Sequence, residues 1–213
     1  MSQEPLPPPT VSLELPPLVP RQGGALSAGI GRLAMRLSGW RFQGPFADVG
    51  RAVLIVAPHT SNWDFPVGLM AKFAMRLGVH WMGKHTIFRW GLGHVWRPLG
   101  GIAVDRRAPQ GVVTGVLEQF KQRERLLLGI APEGTRKYVA QWKSGFYRIA
   151  LAAGVPILPI AFDYRRRLVI FFPLFHPTGD YEADLAQLKR HFTRDMAYRP
   201  EHYEEGAPQP SAA

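Results

Sequence analysis

Apolar positions in this chain gather into short dense runs, and between the runs they are mixed with polar ones. Residues 53–57, 126–131, 157–163 and 168–172 are such runs, and two of them stop at a proline, Pro58 and Pro132. A run that is apolar almost throughout predicts a strand buried on both faces, the habit of parallel sheets. Residues 79–82 and 102–104 predict two shorter strands. The intervals read as helices. In 63–77, Leu69, Phe73 and Leu77 are spaced for one helical face. Residues 110–123 and 145–153 also read as helices, and 181–196 as a closing amphipathic one. Strands alternating with helices predict a single α/β domain with a largely parallel sheet flanked by helices. Sites in such sheets lie at the carboxyl ends of the strands. No internal repeat is present.

The two ends break this pattern. Residues 1–24 are rich in proline without sustained periodicity and predict a disordered arm, and 199–213 predict a disordered tail. The folded domain is then 25–198. It begins with an amphipathic helix over 25–39, in which Leu26, Ile30, Leu33, Met35 and Leu37 stand among Arg32 and Arg36. Its apolar face either packs on the core or lies on a membrane surface. No apolar run approaches the roughly 18–20 residues that span a bilayer. The opening residues carry an early Glu4 and many prolines but no basic region, unlike a secretory signal. The expectation is a protein on the cytoplasmic side, peripheral to any membrane it meets.

Charge narrows the partners. Lys and Arg number 26 against 16 Asp and Glu, a formal +10. Such a surplus favours nucleic acid, anionic lipid headgroups or phosphorylated small molecules, or is merely a basic soluble surface. Residues 80–98 interleave Trp81, Phe88, Trp90 and Trp96 with Lys84, Arg89 and Arg97. That mixture suits a membrane headgroup layer, nucleic-acid stacking, or core aromatics with charges between them. The absence of cysteine excludes disulfides, cysteine-bound zinc and any acyl-cysteine intermediate.

Four segments carry candidate chemistry. His59-Thr60-Ser61-Asn62-Trp63-Asp64 follows the first long run. Neutral imidazole is a suitable base for a hydroxyl, and a carboxylate can hold its tautomer. Five residues of regular helix would set the two side chains about 140° apart. They meet only if Thr60, Ser61 and Asn62 turn before the helix starts. Alone, the pair reads as well as a structural histidine. Gly100-Gly101-Ile102-Ala103-Val104-Asp105-Arg106 delivers an arginine after a strand, and Pro132-Glu133-Gly134-Thr135-Arg136 delivers a tight turn and a second guanidinium. Val155-Pro156-Ile157-Leu158-Pro159-Ile160 is apolar with two prolines and can do no proton chemistry, so its expected role is to shape a wall or an acyl-chain slot.

Together, and in this order, the four segments resemble the glycerolipid (1-acylglycerol-3-phosphate) acyltransferase family. Its blocks read roughly His-x4-Asp, Gly-x-Ile-x-x-x-Arg, Pro-Glu-Gly-Thr-Arg and Val-Pro-hydrophobic-hydrophobic-Pro, and the likeness covers about residues 25–197. The resemblance implies transfer of an acyl chain from acyl-CoA or acyl-carrier protein to a lysophospholipid, with 1-acylglycerol 3-phosphate as the leading acceptor. It implies His59 as general base and Asp64 as its orienter. Glu133, Gly134 and Thr135 would shape the acceptor site, and Lys84, Arg106 and Arg136 would hold the acceptor phosphate. No metal or bound cofactor is implied. The lipid acceptor turns the aromatic and basic positions towards an anionic membrane surface, with no nucleic acid as partner. Ala103, Ala131 and Lys137 depart from the residues usual at those places, and they bear on the acceptor and the acyl-chain pocket. A rival of another class, a non-catalytic basic binding protein, explains the charge and leaves the pairing of His59 with Asp64 without a purpose.

Overall fold

In β2 (Arg51–Ala57) the side chains alternate between two buried faces. Val53, Ile55 and Ala57 enter one apolar cluster, Ala52 and Leu54 the other. A strand apolar on both faces is stable only at the centre of a sheet covered on both sides. The computed structural model, which describes residues 7–88, 93–104 and 109–203, places it there. The elements run α1 (Ala25–Ser38), β1 (Arg41–Gln43), β2, α2 (Asp64–Met75), β3 (Val79–Lys84), α3 (Gly93–Trp96), β4 (Gly101–Val104), α4 (Pro109–Gln122), β5 (Leu126–Ile130), α5 (Gly145–Ala153), β6 (Ile157–Asp163), β7 (Leu168–Phe171) and α6 (Tyr181–Lys189). The sheet order is β1-β7-β6-β2-β5-β3-β4. Every pairing is parallel except β6 with β7, which a short turn joins as a hairpin. The expected single, largely parallel α/β sheet is therefore the one observed.

Three expectations need correction. Residues 7–24 are not a loose arm. Leu15 and Val19 are buried in the second cluster, Thr10 and Phe42 exchange two backbone hydrogen bonds, and the Gly78 N–H donates to Pro20 O at 2.7 Å. The prolines have no N–H to satisfy, so an extended strap can lie on the domain while its apolar residues fill the core's edge. Residues 199–203, expected to begin a disordered tail, are also tied down, with Tyr203 buried. Residues 1–6 and 204–213 lie outside the described residues. Finally, the closing helix stops at Lys189, and a separate turn, Arg194–Met196, follows.

The expected N-terminal helix is present as α1, but its apolar residues divide. Ala28, Gly31 and Met35 face inward, and a Cβ on Gly31 would lie 2.4 Å from Ala74 N. That close approach requires glycine and turns Leu26, Ile30, Leu33 and Leu37 out to solvent, with Leu26 80% and Leu37 78% exposed.

Candidate active site

The parallel strands β2, β3, β4, β5 and β6 all end at one edge of the sheet, and the candidate residues gather there. After β2 the chain turns through His59 to Ser61 before α2 begins at Asp64. The expected turn forms. The Ser61 N–H donates to Asp64 Oδ2 at 3.0 Å and the Trp63 N–H to Ser61 Oγ at 3.1 Å. The turn brings His59 Nδ1 to 2.8 Å from Asp64 Oδ2. Asp64 is buried, while His59 keeps 23% of its side chain exposed. A third partner reaches the same carboxylate, because the Tyr164 hydroxyl donates to Asp64 Oδ1 at 2.7 Å.

The loop after β5 supports the histidine from below. The His59 N–H donates to Glu133 Oε1 at 2.8 Å. Burial pushes the Glu133 carboxyl up to about 7, against the opposing hydrogen bond from His59. Gly134 holds a φ of 66°, and the Lys143 side chain lies so close that a Cβ there would be 2.9 Å from Lys143 Cδ. Glycine thus both permits the turn and leaves room for the lysine.

His59, Gly134, Thr135 and Arg136 line one cavity of about 620 Å³. Two more cations, Lys143 and Arg148, line it as well. Its deeper wall is apolar, with Met82, Val104, Val113, Ile130, Phe146 and Ile149. The space therefore combines a base, a positive rim and an oily lining, which suits an anionic, hydrocarbon-bearing ligand. Glu133 sits behind this lining, where it braces His59. Lys84 ends β3, paired in register with Val104 at the same sheet edge. Arg106 lies outside the described residues. Val155 and Ile157 are core residues beneath the site. Trp81, Phe88 and Trp96 pack on one another with Phe65, edge to face or tilted, and the Trp81 indole N–H donates to Leu99 O at 3.1 Å. Their neighbours Arg89 and Trp90 lie outside the described residues. Among the described residues, no three His, Cys, Asp or Glu side chains come together as metal ligands.

Sequence reasoning missed Lys143, Arg148 and Tyr164. Tyr164 directly follows β6, another of the strands ending at this edge, so the rule that led to His59 and Glu133 pointed to it too. Lys143 and Arg148 carry no local signal that separates them from surface cations. The last described segment was missed also: the Arg199 N–H donates to Thr60 Oγ1 at 3.1 Å, and His202 Nδ1 lies 2.9 Å from Arg136 O. It thereby ties the loop after β2 to the loop after β5.

Known proteins carry related sequences and a related fold. The family model described as Acyltransferase matches residues 41–163. A 1-acyl-sn-glycerol-3-phosphate acyltransferase of Escherichia coli K12 is 30% identical over 119 residues, covering 52% of this chain and 46% of that protein. A probable 1-acyl-sn-glycerol-3-phosphate acyltransferase of Mycoplasma pneumoniae is 32% identical over 118 residues, covering 52% of this chain and 44% of that one. The matched part thus spans about half the length of each of these relatives. The crystal structure of the 1-acyl-sn-glycerophosphate acyltransferase of Thermotoga maritima aligns with a TM-score of 0.55 at 19% identity, covering 78% of this chain and 75% of that one. At that identity the likeness is one of fold.

Proposed function

The chain belongs to the acyltransferase family, and from that premise we propose that it moves a fatty acyl group from an acyl thioester to the free hydroxyl of 1-acylglycerol 3-phosphate. The donor is acyl-CoA or acyl-carrier protein. The observation that carries this reading is the 2.8 Å contact of His59 Nδ1 with the buried Asp64 carboxylate at the mouth of a cavity rimmed by Arg136, Lys143 and Arg148. With Nδ1 engaged, Nε2 is the nitrogen left for the substrate.

The acceptor oxygen attacks the thioester carbonyl carbon as its proton passes to His59 Nε2. Asp64 stabilises the imidazolium that forms. The new C–O bond closes, the C–S bond breaks, and the proton leaves with the thiolate as a free thiol. Arg136, Lys143 and Arg148 supply the charge a phosphate needs, a guanidinium as a fork and an ammonium as a point charge. The apolar wall receives hydrocarbon.

A peripheral place on the cytoplasmic face of the cell membrane fits this role. Among the described residues, no helix is long and apolar enough to cross a membrane. Leu26, Ile30, Leu33 and Leu37 recur at intervals of four, three and four along the outer face of α1, with Arg32 and Arg36 between them. Each such side chain immersed in lipid contributes about 1.5–3 kcal/mol, and the arginines favour anionic headgroups. Trp63, 59% exposed beside Asp64, suits the same interface.

The test is a mass-spectrometric product screen on anionic vesicles. Purified protein is given lysophosphatidate and a phosphate-free monoacyl acceptor together, with each thioester type. Phosphatidate should dominate, and His59→Ala should lower its formation by about 10²–10⁴-fold while the protein stays folded and vesicle-bound. Preference for the phosphate-free lipid overturns the acceptor, and no transfer to any lyso-lipid favours the binding-protein reading.

A further inference from the structure

Asp64 is useful as an orienter only if its own carboxylate is held, because the terminal torsion of an aspartate is soft. Its two oxygens are served differently. Oδ2 faces His59 and also accepts the Ser61 N–H. Oδ1 accepts the Tyr164 hydroxyl, and among the described residues Tyr164 is the one donor to that oxygen.

We propose that Tyr164 is a positioning residue of this site: its hydroxyl locks the rotation of the Asp64 carboxylate and so sets the orientation of His59 and the charge it faces. The proposal rests on the reading of His59 as the base. Tyr164 is itself held from three sides. Its ring meets Trp40, which follows α1, at 5.0 Å and 89°, and Tyr198, near the chain's end, at 5.1 Å and 73°. Its N–H donates to Met196 O at 2.9 Å. The two edge-to-face rings restrict the directions open to the phenol. Burial, followed by the nearby Asp64 carboxylate, pushes the phenol's pKa well above its ordinary value, so the hydroxyl remains a donor throughout the working range. Asp64 thus reads the placement of three distant parts of the chain: the segment after α1, the turn after β6, and the final turns.

Removing the hydroxyl has two consequences. The carboxylate gains rotational freedom, so fewer encounters find the imidazole aligned. Its negative charge, no longer shared with a phenol proton, favours the imidazolium more strongly. The acid limb of the activity profile should therefore move to higher pH. The other titratable or charged groups facing this centre are Glu133 below the His59 backbone and Arg136, Lys143 and Arg148 around the shared cavity. All of them are unchanged by a substitution at Tyr164.

The experiment compares wild type with Tyr164→Phe, which keeps the ring and its packing. Expected are a fall in kcat of roughly 10–100-fold with acceptor KM within about twofold of wild type. The acid limb of the kcat/KM profile should move to higher pH. Tyr198→Leu, which removes one supporting ring and leaves the hydroxyl, should lower kcat by less. An unchanged acid limb, or a kcat at least half that of wild type, overturns the proposal. If wild type transfers no acyl group at all, the functional reading fails, while the His59 ring resonances at one pH, sharp in wild type and broadened in Tyr164→Phe, still decide whether the hydroxyl orders the pair.

Discussion

Two buried aspartates in this chain are built almost alike. Asp64, at the start of α2, accepts a tyrosine hydroxyl at 2.7 Å and a backbone N–H at 3.0 Å. Asp184, in α6, accepts the Tyr147 hydroxyl at 2.7 Å and the Thr178 N–H at 2.7 Å. The difference is the remaining partner. Asp184 takes the Thr178 hydroxyl at 2.9 Å and is closed off completely, whereas Asp64 takes an imidazole that opens on a cavity. Three neutral donors around a carboxylate make a fastening, here of α5 and the 178–180 turn to α6. Exchanging one donor for a titratable ring with a free face makes a proton-transfer site from the same parts. A buried carboxylate is therefore no evidence of catalysis until its least enclosed partner is identified.

The comparison breaks most clearly if each aspartate is removed. Asp64→Asn should cost on the order of 10³-fold in kcat, since an amide cannot stabilise the imidazolium, with little loss of thermal stability. Asp184→Ala should cost on the order of 3 kcal/mol of stability, because two hydroxyls and an amide lose a charged acceptor. The activity of its folded fraction should be unchanged. Denaturant melts and initial rates on the same preparations measure both. An inactive but stable Asp184→Ala, or an Asp64→Asn that is merely unfolded, would erase the distinction.

A second effect concerns what the open side of the Asp64 centre faces. Arg136→Ala should raise the KM for lysophosphatidate by roughly 10–100-fold, the worth of one charge-assisted contact, and the donor KM by much less. Lys143→Met should act in the same direction. Equal changes in both KM values would remove these cations from the acceptor phosphate.

Much of this was legible in the chain itself. The run around Val53 and Ile55 declares a central strand because only a doubly covered sheet can bury both of its faces, and the turn residues Thr60 to Asn62 announce that His59 and Asp64 can meet. What escaped was whatever depends on distant chain. Leu15 and Val19 look like part of a proline-rich tract until a sheet face is available to bury them. Met35 and Leu37 belong to one amphipathic helix by spacing, and only the crossing of Gly31 against Ala74 decides which of them faces inward. Tyr164 reads as the residue after a strand, beside three arginines. Its link to Asp64, 100 positions earlier, is a tertiary contact with no local signature.

The smallest effect is a matter of sign. Asp184 and Glu133 are both buried carboxyls, yet their pH responses run in opposite directions. Burial alone raises Asp184, but the donors from Thr178 and Tyr147 outweigh it and hold its pKa below the ordinary value. Its contribution to stability is present above the unfolded pKa and fades as pH falls through the lower folded value. Glu133, raised by burial to about 7 from 4.5, binds its proton more tightly when folded. Stability therefore declines as pH rises from the unfolded value towards 7. Between pH 6 and 7.5 the wild type should lose about 1 kcal/mol relative to Glu133→Gln, roughly 2–4 °C in Tm. The comparison must be made between the two proteins and not on wild type alone. His80, held down to about 4 by burial and by Arg123 and Lys72, adds stability over the same window and cancels only in the difference. Parallel stability curves for wild type and Glu133→Gln would show that Glu133 is already ionised when it braces His59. The carboxyl behind the base would then resemble Asp184 after all.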